Sequence, residues 1–149
     1  LSGIMQRDGF RVGRYRLTSV DKGRVHYAEV TVAARPSSTN AVTAGAAPFS
    51  WNIEAYGPFA KSSSMDPVYV AEALDGVRLA LDELNGFFFD AVVVEIRETL
   101  VDTHLGDVRY AAAHALWRAV GFDRVDLRTV RNGRLVLPDE VNDEPDPAG

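Results

Sequence analysis

The chain contains no cysteine, which excludes disulfides, thiolate zinc sites, iron–sulfur clusters and a cysteine nucleophile. Lysine is nearly as scarce. Lys22 and Lys61 stand alone, and arginine carries the rest of the positive charge. Long apolar runs are also missing. Phe87–Phe89 and Ala91–Val94 are separated by Asp90, well short of the ~18 apolar residues that a membrane helix needs. No charged segment followed by an apolar stretch marks a signal peptide. These absences predict a cytoplasmic protein with no membrane partner. Several motifs are absent as well. No Gly-x-x-x-x-Gly-Lys-Ser/Thr loop is present, no Gly-x-Gly-x-x-Gly follows a strand, and no Gly-x-Ser-x-Gly elbow occurs. The chain is therefore expected not to be an enzyme, and to need neither cofactor nor metal.

What is present is enough for one folded domain. A length of 149 residues with 46% hydrophobic side chains can bury a core without staples, and is too apolar for a disordered chain. The formal net charge of −5 sits in the last residues, where Asp139, Glu140, Asp143, Glu144 and Asp146 face no Lys or Arg. Residues 138–149 therefore read as a disordered acidic tail, and residues 1–137 as the domain. The rest of the chain segregates its charge. Residues 1–35 are basic, through Arg7, Arg11, Arg14, Arg16, Lys22, Arg24 and Arg35. Residues 62–107 are acidic, with only Arg78 and Arg97 to offset them.

Phe10–Val20 and His26–Ala34 alternate, with the turn Asp21-Lys22-Gly23 between them, and predict a β-hairpin. Pro36–Pro48 has few large apolar residues and reads as a long loop. Phe49–Tyr56 alternates most cleanly of all and predicts a third strand, with Phe49, Trp51, Ile53 and Ala55 inward. Asp66-Pro67 starts a helix, with Asp66 as cap, and Val70, Leu74, Val77, Leu81 and Leu84 form its apolar stripe up to Asn85-Gly86. Phe88–Asp102 predicts a long strand with Val92, Val94, Ile96 and Leu100 on one face. Glu95, Arg97 and Thr99 lie on the other, facing water. Gly106-Asp107 opens an alanine-rich helix that Gly121 stops. Val125–Val130 and Arg134–Leu137 flank Asn132-Gly133, a hairpin signal. The order predicts an α/β (α+β) two-layer sandwich, both helices on one face of the sheet, followed by a C-terminal hairpin.

Three groups of residues carry chemistry. Asp102, His104 and Asp107, between the long strand and the second helix, have the composition of an acid/base or metal cluster, but read first as an exposed capped loop, which is rich in Asp and His for its own reasons. His114, in the second helix, and Ser62–Ser64, before the first, read as packing and capping residues. Arg14 and Arg16 share a strand face, with Lys22 and Arg24 at the adjoining turn. Such a stripe either faces RNA or is a solvated face balanced by Glu95 and Glu98.

In order along the chain, several segments resemble domain IV of the elongation factor G / eukaryotic elongation factor 2 family. Tyr15-Arg16-Leu17-Thr18 stands where the family has Tyr-Arg-Glu-Thr. The segment from Gly23 to Val30 stands where it has Gly-Arg-Gly-Gln-Tyr-Gly-x-Val. Val68–Val77 looks like its Glu-Tyr-Ile-Pro-Ala-Val-x-x-Gly-Ile helix. The resemblance covers roughly residues 10–120. It implies a ribosomal-protein-like βββαβα fold with a left-handed βαβ crossover, and a place in translation. In the full-length factors two loops at the tip of this domain enter the decoding site. They correspond here to Asp21–Arg24, reduced to a tight turn, and to Asp102–Gly106, which reads Thr103-His104-Leu105 where the family has an Asp-Ser-Ser type loop. The expectation is a stand-alone, non-catalytic module that binds a ribosome, an RNA or a protein partner through Arg14, Arg16, Lys22, Gly23, Arg24, Thr103 and His104, with no role for DNA. One alternative is a protein–protein module, homodimeric or not, with an apolar patch near Tyr56–Phe59 or on the open sheet face. The other is a small enzyme using His104 with Asp102.

Overall fold

The computed structural model describes residues 9–57, 63–124, 129–131 and 134–137. The hairpin read from the alternation is there. β1 (Arg11–Asp21) pairs antiparallel with β2 (Arg24–Pro36) over its whole length, from Arg11 opposite Ala34 to Asp21 opposite Arg24. Lys22 and Gly23 form the two-residue connection with φ of 49° and 79°. Positive φ at both positions is what a turn matching the right-handed strand twist requires.

The third strand lies elsewhere than expected. It is β3 (Ala41–Ala44), within the stretch read as a loop, and it runs parallel to β4 (Phe89–Arg97). Phe49–Tyr56 is not a strand; Trp51–Tyr56 form the short helix α1. The Trp51 indole N–H donates to the Ile96 carbonyl at 2.6 Å, and Phe49 packs against the core. Those two aromatics are anchored, while Ile53 and Tyr56 stay exposed, so the alternation marked no buried face.

The sheet order is β1-β2-β4-β3. A bulge interrupts the β2–β4 ladder, where Thr31 faces Glu95 but Val32 faces Val93. Val94 is the extra residue, and it reverses the parity of the strand. Ala91, Val93 and Ile96 therefore share the core face, instead of Val92, Val94 and Ile96. The strand also ends at Arg97, not Asp102.

Helices α2 (Asp66–Asp82) and α3 (Asp107–Val120) cover one face of the sheet. Asp66 is the first helical residue of α2 rather than its cap; its carboxylate accepts the Ser63 N–H at 3.2 Å. Helix α3 buries far more than a stripe. Its alanines at 111, 112, 113, 115 and 119 are all enclosed, because β1 lies on one side of it and α2 on another. A methyl group on Gly13 would sit 2.3 Å from the Ala115 carbonyl and the Ala119 nitrogen, and one on Gly76 would sit 2.2 Å from the Arg109 carbonyl. The strand and α2 therefore approach the backbone of α3 directly. The C-terminal hairpin is present as β5 (Thr129–Arg131) and β6 (Arg134–Val136), with Leu135 and Leu137 in the core. Its Asn132-Gly133 connection and residues 138–149 lie outside the described residues. Among the described residues no helix is long and apolar enough to cross a membrane.

Candidate functional site

The β1–β2 turn and the loop after β4 lie towards the same end of the sheet. Pairing of β2 with β4 ends at Glu29–Arg97, and the chain beyond Arg97 stays beside β2. The Tyr27 N–H donates to the Asp102 carbonyl at 3.0 Å, and the Thr103 hydroxyl donates to the Tyr27 carbonyl at 2.6 Å. The same hydroxyl oxygen accepts the Thr99 N–H at 2.9 Å. Thr103 is thus buried with its hydrogen-bonding capacity used inside the fold. It ties the loop to the hairpin rather than facing a partner.

At the turn, Lys22 and Arg24 are exposed and make no ion pair among the described residues. Asp21 and Asp102 flank them at the same end, so the tip as a whole is not strongly basic. Four aliphatic side chains also stand in solvent towards this end, Val20 (68% exposed) near the end of β1 and Leu100 (89%), Val101 (77%) and Leu105 (51%) after β4. Near the other patch expected from the sequence, Tyr56 is also exposed, at 73%, while Pro58 and Phe59 lie outside the described residues. Leu100, read as part of a strand face, lies past the end of β4.

Arg14 and Arg16 do not join this tip. Arg14 lies eight residues before Lys22, roughly 26 Å along an extended strand. It donates to the Thr31 hydroxyl at 3.1 Å, and its carbonyl accepts Arg118 at 2.8 Å. Arg16 pairs with Glu29 at 3.6 Å, and Arg97 lies between Glu95 at 2.7 Å and Glu29 at 3.9 Å. The open face is an ion-pair ladder whose central acid is Glu29. Glu98, expected to share that role, follows the end of β4 and is buried.

The second loop is held from inside by groups that the sequence had left unconnected. His26 lies on the core face of β2, opposite Ser19. Its Nδ1 is 2.8 Å from Oδ1 of Asp107, and both side chains are fully buried. Oδ2 of Asp107 accepts the His104 N–H at 2.8 Å. The His104 ring meets that of His26 edge-on, with centroids 5.3 Å apart. The carboxylate that meets an imidazole is therefore Asp107, and the imidazole is His26, not His104. From α2, Glu72 accepts the Gly106 N–H at 3.0 Å and the Arg109 N–H at 3.3 Å, so one helix supplies the N-terminal cap of the other. Tyr69 donates its hydroxyl to the Thr103 carbonyl at 3.4 Å. His114 is a packing residue, between Tyr15 at 4.9 Å and Tyr110 at 4.7 Å. Among the described residues no group of three or more His, Asp or Glu is placed to hold a metal ion.

Burial pushes the carboxyl groups of Asp66, Glu72, Glu98 and Asp107 above their ordinary range, and for Glu98 the charge of Asp66 adds to the effect. Between the ordinary and the raised value, the folded Glu98 holds a proton that the unfolded chain has released. Its contribution to stability is full below the ordinary value of 4.5 and is lost as pH rises through the raised one. Glu98→Gln cannot ionise. Urea midpoints at about pH 4.5 and about pH 7.5 should show a smaller acid-to-neutral loss for the variant than for the parent.

No family model matches the chain, and no curated protein matches it. Among solved structures 34 chains match. One is the crystal structure of ttk003000868 from Thermus thermophilus, with a TM-score of 0.51 and 16% identity over 72% of this chain. The chain spans 15% of that protein's length, and the likeness is one of fold.

Proposed function

We propose that this chain is a non-catalytic module of the elongation factor G domain IV kind, which binds ribosomal or other RNA through the tip made by the β1–β2 turn and the Asp102–Gly106 loop. The supporting observation is that the Asp102–Gly106 loop is bonded to β2 at Tyr27, through Asp102 and Thr103, on the hairpin whose end exposes Lys22 and Arg24. Two exposed cations at the end of a hairpin, without an ion-pair partner among the described residues, can reach phosphates that a flat surface cannot. His104 contributes its half-buried ring, and Gly23 the turn. Arg14, bonded to Thr31, and Arg16, in the ion-pair ladder, lie on the open face and act at most in long-range attraction.

The four exposed aliphatics favour a second reading, in which the same tip enters an apolar cleft of a protein partner. Charge and apolar surface can be separated by mutation. Lys22→Glu with Arg24→Glu should abolish co-sedimentation with ribosomes, while Leu100→Asp with Val101→Asp should leave most of it. The reverse pattern would favour the protein partner and end the RNA reading.

A further inference from the structure

The segment that follows β6 leaves the fold beside the tip. β6 packs against the second tip loop: a methyl group on Gly106 would sit 3.3 Å from Nε of Arg134 and 3.5 Å from the Leu135 carbonyl. Leu137, next but one, is buried. Residues 138–149 therefore start from the end of the sheet where Lys22 and Arg24 stand exposed. They carry Asp139, Glu140, Asp143, Glu144 and Asp146 and no Lys or Arg. Arg134 is a further exposed cation at this end and makes no ion pair among the described residues. Glu72 acts on it only at longer range, because its carboxylate accepts the Gly106 and Arg109 N–H groups.

We propose that residues 138–149 are a tethered competitor: they lie across the tip, from Arg134 to Lys22 and Arg24, where the RNA of the reading above would bind. The reach is sufficient. His26 meets Asp107, the neighbour of Gly106, at 2.8 Å, and Lys22 precedes His26 by about 13 Å along the hairpin. An extended chain covers about 30 Å between Leu137 and Asp146. Asp139 and Glu140 come within range of Arg134, and the later acids within range of the turn. The tether holds these acids at an effective concentration in the mM range, so weak exposed pairs suffice to populate the contact. Carboxylates along an extended segment offer the cations what phosphates would offer. Asp21 and Asp102, at the same end, keep the attraction weak enough for a ligand with more negative charge to displace the segment.

The lack of cysteine makes a single label site available, a nitroxide on Pro145→Cys in the full chain. By NMR, the amide signals of Lys22, Gly23 and Arg24 should lose about half their intensity or more at about 50 mM salt and recover at about 500 mM, where charges are screened within a few Å. Lys22→Glu with Arg24→Glu should abolish the broadening at Gly23. Broadening confined to Arg131 and Arg134, none at the turn, or broadening that salt leaves unchanged overturns the proposal. Changing the five acids to Asn or Gln should tighten ribosome binding by about two- to fivefold at about 50 mM salt. Unchanged affinity overturns the competition, and a gain without broadening at the turn is long-range attraction and overturns the contact. The competition rests on the RNA reading of the tip, but the label needs no RNA. Broadening at the turn with no ribosome binding would end that reading and leave the contact standing.

Discussion

Gly76→Ala should destabilise the protein by about 3 kcal/mol or more, a large share of the stability of an ordinary domain. The added methyl would lie 2.2 Å from the Arg109 carbonyl, a backbone atom of α3 that cannot swing aside. Relief would require α3 to move. That helix is enclosed by β1 on the far side, where Gly13 meets Ala115 and Ala119 just as closely. Alanine ordinarily improves a helix by about 1 kcal/mol over glycine. The sign of the change therefore discriminates between a free helix surface and the close approach seen here. Urea or thermal denaturation of Gly76→Ala gives the answer, and a stabilised variant would contradict the packing described. Gly13→Ala should behave in the same way from the sheet side.

Asp107→Ala should cost about 3 kcal/mol for a different reason. The aspartate is fully buried and receives hydrogen bonds from the His26 ring and the His104 backbone. Hydrogen bonds to charged groups contribute about 1.5–3 kcal/mol, and donors left buried without acceptors add a further penalty. The truncated protein would also lose the tether that brings β2 and the second tip loop together. Equilibrium unfolding should show the loss of stability, and amide exchange should show the 99–106 loop as the first region to open. Loss of the mutual contact need not unfold the sheet, since β1, β2 and β4 hold their ladder independently of this joint. A variant as stable as its parent would mean that the pair contributes nothing to the joint.

Local patterns in the sequence carried the elements that depend on local signals. The Asp21-Lys22-Gly23 turn between two alternating runs specified the hairpin, and the three- and four-residue spacing from Val70 to Leu84 specified α2. Three features escaped because no local signal marks them. Strand β3 has Val42 as its one larger aliphatic residue, since an edge strand paired on one side needs little burial. The alternation of Phe49–Tyr56 comes from two anchored aromatics among exposed residues. The bulge at Val94 is a property of the β2–β4 register and reverses which valines are inside. For the site, Lys22, Gly23 and Arg24 were legible as a turn and His104 as a loop residue, but the His26–Asp107 contact joins residues 81 apart in the chain. One clue was present: His26 has the parity of Ala28 and Val30 on the core face, and a buried imidazole there demands a partner. The half-buried place of Glu72 and the buried place of Glu98 had no comparable mark, because acids on a helix or beside a strand usually read as its wet side.

The central claim is that the tip binds RNA through a small number of phosphate contacts. Co-sedimentation with ribosomes across a salt series tests it most directly. With Lys22 and Arg24 as the two contacts, affinity should fall by about tenfold between about 50 mM and about 200 mM salt. The Lys22→Glu, Arg24→Glu variant should show no binding at either. No co-sedimentation of the parent at low salt, or an affinity that salt does not change, would contradict the account.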